Sequence, residues 1–397
     1  MFKFHVKSQD FAEAMRKISI AIPASTPKGG NDGIKLVCYK NVQGKNKSLG
    51  ILAAFDGKIQ SVSPFEIHDV SSEEQEIVVH ISGKQALATA NAYAALDASL
   101  EVTIDKEVKI SGAGSKVTLQ LGQEIVSLRA DDKWAVEIEA DGEAFINFIN
   151  FASSCYGEEK GSRGLHCVGI RIDKEKKAMT AVSSNGTRCA YAETKQFSIG
   201  SMSRKGKKGT KKDEEQNEDN KQVTVVIEGK LLRNAVKNLV QKKVTVRISD
   251  KKVHIKSGSD AVVILTQEIP FPMDAVLDVV KKCERKGAWK ARLSNVFQAL
   301  AIYEITMEKP WLEINKKGDT QICLQGKDEL TTASIVCAQE GDVQKVVVDE
   351  KELKNALSVF AKDQEILVEM QSADKPIVIR LHEEDPNRII VFPIAGE

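Results

Sequence analysis

Neither sign of charge prevails in this sequence: 57 Lys and Arg stand against 56 Asp and Glu in 397 residues. Bulk attraction to nucleic acid is thereby excluded. A basic surface, if there is one, must be a local patch with the acidic residues segregated elsewhere. Long apolar runs are also missing. No stretch approaches 18 consecutive apolar residues, and the opening MFKFHVKSQDFAEAM has no apolar signal-type core. This predicts no signal peptide and no membrane span. The seven cysteines, Cys38, Cys155, Cys167, Cys189, Cys283, Cys323 and Cys337, are odd in number and scattered, with no CxxC. That usage fits reduced thiols and a cytoplasmic protein rather than a disulfide framework or a zinc site.

Catalytic signatures are equally scarce. The one P-loop-like stretch, GSMSRKGKKGT, has the wrong glycine spacing and lacks the Lys-Ser/Thr ending. His5, His68, His80, His166, His254 and His382 are isolated from one another, without HExxH or a Cys/His cluster. No GxSxG elbow and no DxDxDG loop occurs. The sequence therefore predicts no catalytic residue, no metal and no cofactor, and favours a binding or scaffold protein over an enzyme.

What the chain does contain is repetition. Hydrophobic content of 42% with 28% charged residues suits a folded chain of two to four domains. Three segments share the layout of a short strand, a cap and an apolar helix: FKFHVKSQDFAEAMRKISIAI from Phe2, WAVEIEADGEAFINFINFASS from Trp134 and WKARLSNVFQALAIYEIT from Trp289. Phe11, Phe145 and Phe297 are read as equivalent. A second trio runs from Glu76, Val223 and Lys345. Each member has a β-branched run, a polar break, a lysine (Lys84, Lys230, Lys351) and a helix of period 3.6. After each second-trio helix the sequence alternates apolar and polar residues around a hairpin break. The expected fold is α+β, in three repeated domains at 1–133, 134–283 and 284–397, each of two helices packed on antiparallel sheets. Residues 203–222 are a basic run followed by an acidic one without an apolar anchor, which predicts a disordered surface insertion in the middle domain.

Within the middle domain lies SSNGTRCAY, residues 183–191. Asn185-Gly186-Thr187 fits a glycosylation acceptor, but a cytoplasmic chain meets no such machinery. Asn-Gly is also the favoured two-residue hairpin turn. The longer stretch TAVSSNGTRCAYAE (180–193) resembles the T-A-V-A-T-D-G-H-R-L-A segment of the bacterial β sliding clamps, the DNA polymerase III processivity factors. IPFPMDAVL (269–277) resembles their F-P-D-Y segment, and RIIVFPIAGE (388–397) their closing V-M-P-M-R-L. Together with the threefold repeat, the resemblance covers essentially the whole chain.

This resemblance implies a head-to-tail homodimer closing into a ring of six similar domains, with helices lining the hole and sheets outside. It implies non-sequence-specific, topological binding of double-stranded DNA. The replicative DNA polymerase and the clamp loader would dock through short peptides, and no membrane would be involved. Carried over residue by residue, the peptide pocket comprises Leu165, Ser184, Gly186, Thr187, Arg188, Cys189, Pro272, Leu277, Ile390, Val391, Phe392, Pro393 and Ile394. Departures mark a divergent member. Thr187 stands where the family has His and Cys189 where it has Leu, Ala275 and Val276 replace a basic pair, and the tail ends Ala395-Gly396-Glu397.

For the ring lining, helical spacing puts Lys230, Arg233 and Lys237 on one face, opposite a buried stripe of Leu231, Leu232, Ala235, Val236 and Leu239. Lys351 and Lys354 project from a helix that buries Leu353, Ala356, Leu357 and Phe360. Arg16 and Lys17 leave the Phe11–Met15–Ile18 face. Lys84 and, at the rim, Lys28 complete the expected DNA-facing set. FINFINFASSC offers Asn147, Asn150 and Ser154 but no cation, so the wall would be only mildly basic. A clamp-fold scaffold that does not close around DNA, and an enzyme assembled from unremarkable residues between domains, are the competing readings.

Overall fold

The structure is a computed structural model, and it describes residues 1–23, 33–42, 47–122, 124–125, 128, 134–158, 164–200, 221–237, 239, 242–304, 311–326, 332–343 and 345–394. Among the described residues six helices begin where a strand ends, with no intervening loop: α1 (Ser8–Ile18), α2 (Gly83–Ala94), α3 (Gly142–Ala152), α4 (Gly229–Lys237), α6 (Leu293–Glu304) and α7 (Glu350–Leu357). The last strand residue supplies the extended backbone that an N-cap requires, with ψ of 134° at Lys7, 120° at Ser82 and 123° at Asp349. At Asp349 the side chain also caps, accepting from Lys351 N at 2.9 Å and Glu352 N at 3.2 Å. Strand burial alternates up to the junction in Phe2–Lys7, where Phe2, Phe4 and Val6 are buried. The helix then turns its period-3.6 stripe onto the same core: Phe11, Met15 and Ile18 on α1, Leu353, Ala356 and Leu357 on α7.

Two features differ from the sequence expectation. Phe11 and Phe145 are each the fourth residue of their helix and are buried, but the fourth residue of α6 is Val296, also buried, while Phe297 is only half-buried. The third copy is thus offset by one, because its strand reaches Arg292 and the helix opens on Leu293. A seventh helix, α5 (Met273–Lys282), belongs to neither trio. Its apolar residues Met273, Val276, Leu277 and Val280 follow i, i+3, i+4, i+7 spacing, which closes one side of a helix.

Among the described residues every strand pairing is antiparallel, and the chain divides into two compact units. The first holds Met1–Glu143, Ser198–Lys205 and Asn234–Thr266; the second holds Ala144–Phe197, Gly206–Arg233 and Gln267–Glu397. The stretch 134–283 is therefore shared between them.

In the first unit the 13-residue strand Ile59–Ser71 joins the N-terminal part to the middle stretch. It pairs along its length with Ser48–Phe55, near its end with Phe2–Lys7 and at its start with Asp260–Leu265. Beside this junction Asp260 accepts from Ser63 Oγ at 2.7 Å and lies 2.9 Å from Lys17 Nζ of α1.

In the second unit a nine-stranded sheet runs Gln222–Glu228, Cys167–Asp173, Ala178–Ser184, Arg188–Thr194, Arg388–Val391, Ile377–Arg380, Glu365–Met370, Gly287–Arg292, Ala338–Gly341. The C-terminal strand Arg388–Val391 fills the gap between middle and last segments, pairing Cys189↔Ile390 on one side and Val378↔Ile390 on the other. Inserting the tail as a central strand explains why so apolar a terminus is ordered. A four-stranded sheet, Thr332–Val336, Gln321–Gln325, Trp311–Lys317 and Val346–Asp349, completes the unit.

Candidate functional site

The second unit gathers the SSNGTRCAY turn, the FPMDAVL segment and the C-terminal strand on one surface. The turn is a two-residue connection shifted by one from the sequence expectation. Ser184 pairs with Cys189, Asn185 N donates to Arg188 O at 3.1 Å, and the central residues are Gly186 and Thr187. Gly186 sits at φ +96°, which a side chain would oppose. Asn185 occupies the preceding position, and its Oδ1 accepts from Thr187 N, Thr187 Oγ1 and Arg188 N at 3.0, 3.0 and 2.8 Å. Ser184 Oγ donates to Arg188 O and accepts from Gly186 N. An Asx side chain closing its own turn is what makes Asn, rather than any polar residue, suitable here.

The turn is also tied to α7. Asn185 Nδ2 donates to Glu352 Oε2 at 2.9 Å, and Arg188 Nη1 lies 3.1 Å from the same oxygen. The tail holds it from another side: Phe392 N donates to Thr187 O and Ile394 N to Val347 O, both at 2.9 Å, and Pro393 bridges to Val348.

Alternation along the tail sorts the predicted pocket residues. Ile390 joins a cluster with Val182, Cys189 and Val378 beneath α5, where Met273, Val276 and Val280 cover it and Leu277 and Phe392 flank it. Ile389 and Val391 point through the sheet into the opposite core, with Cys155, Ala190, Leu353 and Leu357. Val391 is thus fully buried on the side away from α5. Ser184, Cys189 and Ile390 are buried as floor and turn support, not as open lining. Gly186, Thr187 and Pro272 are exposed, and Leu165, Arg188, Leu277, Phe392, Pro393 and Ile394 are half-buried. Leu165 stands beside the turn: a Cβ on Gly186 would lie 3.7 Å from its Cδ1.

α5 is fixed by Phe271, whose ring packs on Gly169 so closely that a Cβ there would fall 2.8 Å from it. Arg171 Nη2 anchors Asp274 at 2.8 Å. Burial pushes the Cys155 thiol up to about 11 and drives Cys189 higher still, so neither is a thiolate nucleophile at neutral pH. Sequence reasoning missed α5, Phe271 and Glu352. The apolar spacing from Met273 signals the helix, whereas nothing local to Glu352 links it to a turn 167 residues away.

The cationic candidates divide by exposure. Lys84, Lys230 and Lys351 are each the second residue of their helix and exposed, and Arg16, Arg233 and Lys237 are exposed as well. Lys17 lies 2.8 Å from Glu13 and 2.9 Å from Asp260. Burial pulls its pKa down, but these two carboxylates outweigh that and leave it raised. Lys354 is bound to Glu304 of α6, whose carboxyl is held below its ordinary value by that bond. Lys17 and Lys354 are thus committed to internal carboxylates. Lys28, most of the charged insertion 203–222 and the end Ala395-Gly396-Glu397 lie outside the described residues. Among the described residues no group of His, Cys, Asp and Glu is arranged to hold a metal ion, and no helix is long and apolar enough to cross a membrane.

No family model matches the sequence, and no curated protein sequence matches it. The fold, by contrast, is shared with solved sliding clamps over the full length. The DNA polymerase sliding clamp of Bacillus subtilis superposes with a TM-score of 0.79 at 16% identity, covering 100% of both chains. The DNA polymerase III β subunit of Thermotoga maritima gives 0.81 at 14%, again covering 100% of both. The Helicobacter pylori β clamp bound to a DNA ligase peptide gives 0.78 at 15%, covering 99% of this chain and 100% of that one. The chain has the DNA-clamp fold, reached with few shared residues.

Proposed function

We propose that this chain is a DNA sliding clamp. Two copies close head to tail into a ring around duplex DNA, and the surface formed by the turn, α5 and the tail tethers the replicative polymerase and other partners. The observation carrying this reading is the full-length clamp fold combined with a lysine at the second position of α2, α4 and α7, exposed each time. In this reading the chain consists of three domains, at 1–133, 134–283 and 284–397.

A closed ring holds DNA by topology, so its lining need only attract phosphate weakly and without reading bases. Six exposed cations per chain, Arg16, Lys84, Lys230, Arg233, Lys237 and Lys351, suit that task, and balanced overall charge is then no obstacle. No chemical step is required of the protein, which acts in the cytoplasm by restraining its partners on DNA.

Two features support closure by a second copy. In the first unit the strand Ser115–Leu119 pairs on one side only among the described residues, and Leu121 just beyond is 57% exposed. In the second, Thr332–Val336 is likewise an edge, with Val336 67% exposed. Open edges flanked by exposed apolar residues are surfaces that a head-to-tail contact covers. Size-exclusion chromatography with light scattering tests this: a two-chain particle at micromolar concentration is expected, and a stable monomer would contradict the ring.

For the pocket, half-buried Leu277 and Phe392 over an apolar floor suit leucine and aromatic anchors of a short peptide, and the rigid turn supplies backbone groups at the rim. Clamp loader and polymerase would compete for this surface.

A further inference from the structure

We infer that Glu352 is a positioning residue for the peptide pocket: its carboxylate holds the Asn185 amide, and through Asn185 and Thr187 it fixes where the Phe392 wall stands. This role rests on the pocket reading above and adds a residue that acts on the pocket from the α7 side of the sheet.

A relay of contacts carries the effect. Glu352 Oε2 accepts from Asn185 Nδ2 at 2.9 Å. Asn185 Oδ1 accepts from Thr187 N and Thr187 Oγ1, both at 3.0 Å, and from Arg188 N at 2.8 Å. Thr187 O in turn accepts from Phe392 N at 2.9 Å. The Phe392 side chain then packs beside Leu277 against the cluster under α5. The contacts thus pass from α7, through the turn, to the opposite face of the sheet.

The chemistry of each end suits this relay. An amide has one accepting and one donating end, backbone N–H groups only donate, and an ionised carboxylate only accepts. The Asn185 oxygen therefore serves the turn while its nitrogen is free for Glu352, so one side chain closes the turn and tethers it. The tether ends on something fixed. Glu352 is the third residue of α7, and its own N–H donates to the capping Asp349 at 3.2 Å. The Arg188 guanidinium lies on that same side, beside Glu352 and Cys155, so it holds the carboxylate rather than meeting the peptide. Only 22% of the Glu352 side chain and 11% of the Arg188 side chain are exposed, which leaves water a weak competitor for these contacts. By contrast, the central turn residues Gly186 and Thr187 are exposed. Untethered, they could move and take the Thr187 carbonyl, and with it Phe392, out of register. A wall that must be ordered on binding costs affinity.

The test uses the full-length protein and a capped peptide of two leucines and one phenylalanine spaced by glutamines, with binding read by calorimetry. Glu352→Gln should weaken the peptide about threefold to tenfold, since the wall must then be ordered on binding. Asn185→Asp sets two carboxylates against each other and should weaken it at least as much. Combining the two should restore affinity to within about twofold of wild type, because the exchanged pair again faces one amide with one carboxylate. It also keeps an oxygen for the turn and a carboxylate beside Arg188. Residues that merely stabilise the fold would give no such rescue. Thermal melts establish that each variant is folded, and if a single variant is not, the double variant decides alone. Undiminished binding by folded Glu352→Gln, or a double variant that fails to recover, overturns the role of Glu352 while leaving the pocket standing. Failure of the peptide to bind the wild type at all overturns the pocket reading and this role with it.

Discussion

The last residue of the C-terminal strand, Val391, and its neighbour Phe392 should behave oppositely on truncation. Val391 is fully buried in the core shared with α7, and Phe392 is half-buried beside Leu277 on the α5 side. Val391→Ala removes two buried methyl groups from a core closed by Leu353, Leu357 and Cys155. At about 0.8 kcal/mol per buried carbon, plus a cavity contribution, the loss is roughly 2 kcal/mol of stability. Phe392→Ala opens a surface that is already partly in water, at a cost of about 1 kcal/mol. It also deletes an aromatic wall of the proposed pocket, which should weaken peptide binding tenfold or more. Urea unfolding followed by circular dichroism reads the first quantity, and calorimetric peptide titration reads the second. Val391→Ala should lower the urea midpoint and leave peptide affinity within about twofold; Phe392→Ala should do the reverse. A Val391→Ala protein of unchanged stability that no longer binds peptide would refute the assignment of the two faces.

Three further outcomes follow from named contacts. Lys230→Glu with Arg233→Glu should lower the slope of log affinity for DNA against log salt by about 2 per chain, whereas Lys17→Ala and Lys354→Ala should scarcely move it, since their ammonium groups already serve Glu13, Asp260 and Glu304. Glu350 is buried at the start of α7, and burial together with the Glu304 carboxyl raises its pKa. A raised carboxyl contributes stability below its unfolded pKa and loses it as pH rises through the folded value. Glu350→Gln should therefore raise the urea midpoint at pH 7.5, with the gain shrinking as pH falls into the carboxylate range. Gly169→Ala should cost roughly 1–3 kcal/mol and loosen α5, because the new Cβ meets the Phe271 ring at 2.8 Å; differential scanning calorimetry and peptide titration of the variant check both effects.

Much of this architecture is written locally. Alternation in FKFHVK and period 3.6 in the helices after it are short-range patterns, and they place the buried stripes of α1, α4 and α7 where the side chains are found. The lysine at the second helical position is legible for the same reason. Failures concentrate where the deciding contact is remote. The offset between Phe297 and Val296 depends on how far a strand runs before its helix, which a one-residue shift in sequence conceals. Lys17 reads as an exposed cation until strand pairing brings Asp260 to it, 243 residues away in the chain. The tail reads as a single apolar block, and only its insertion as a central strand assigns Ile390 and Val391 to different cores. Glu352 looks like an ordinary first-turn acid; the fold alone makes it the anchor of the turn at Asn185 and Arg188.

The central claim is topological, so the most direct measurement compares retention of the protein on DNA with and without free ends. After loading onto nicked circular duplex, the protein should stay bound through a high-salt gel-filtration column and elute with the DNA. Cutting the same circle once should release it, because a ring held by topology slides off an open end. Equal retention on circular and linearised DNA, or none on either when a cognate loader is present, would contradict the account.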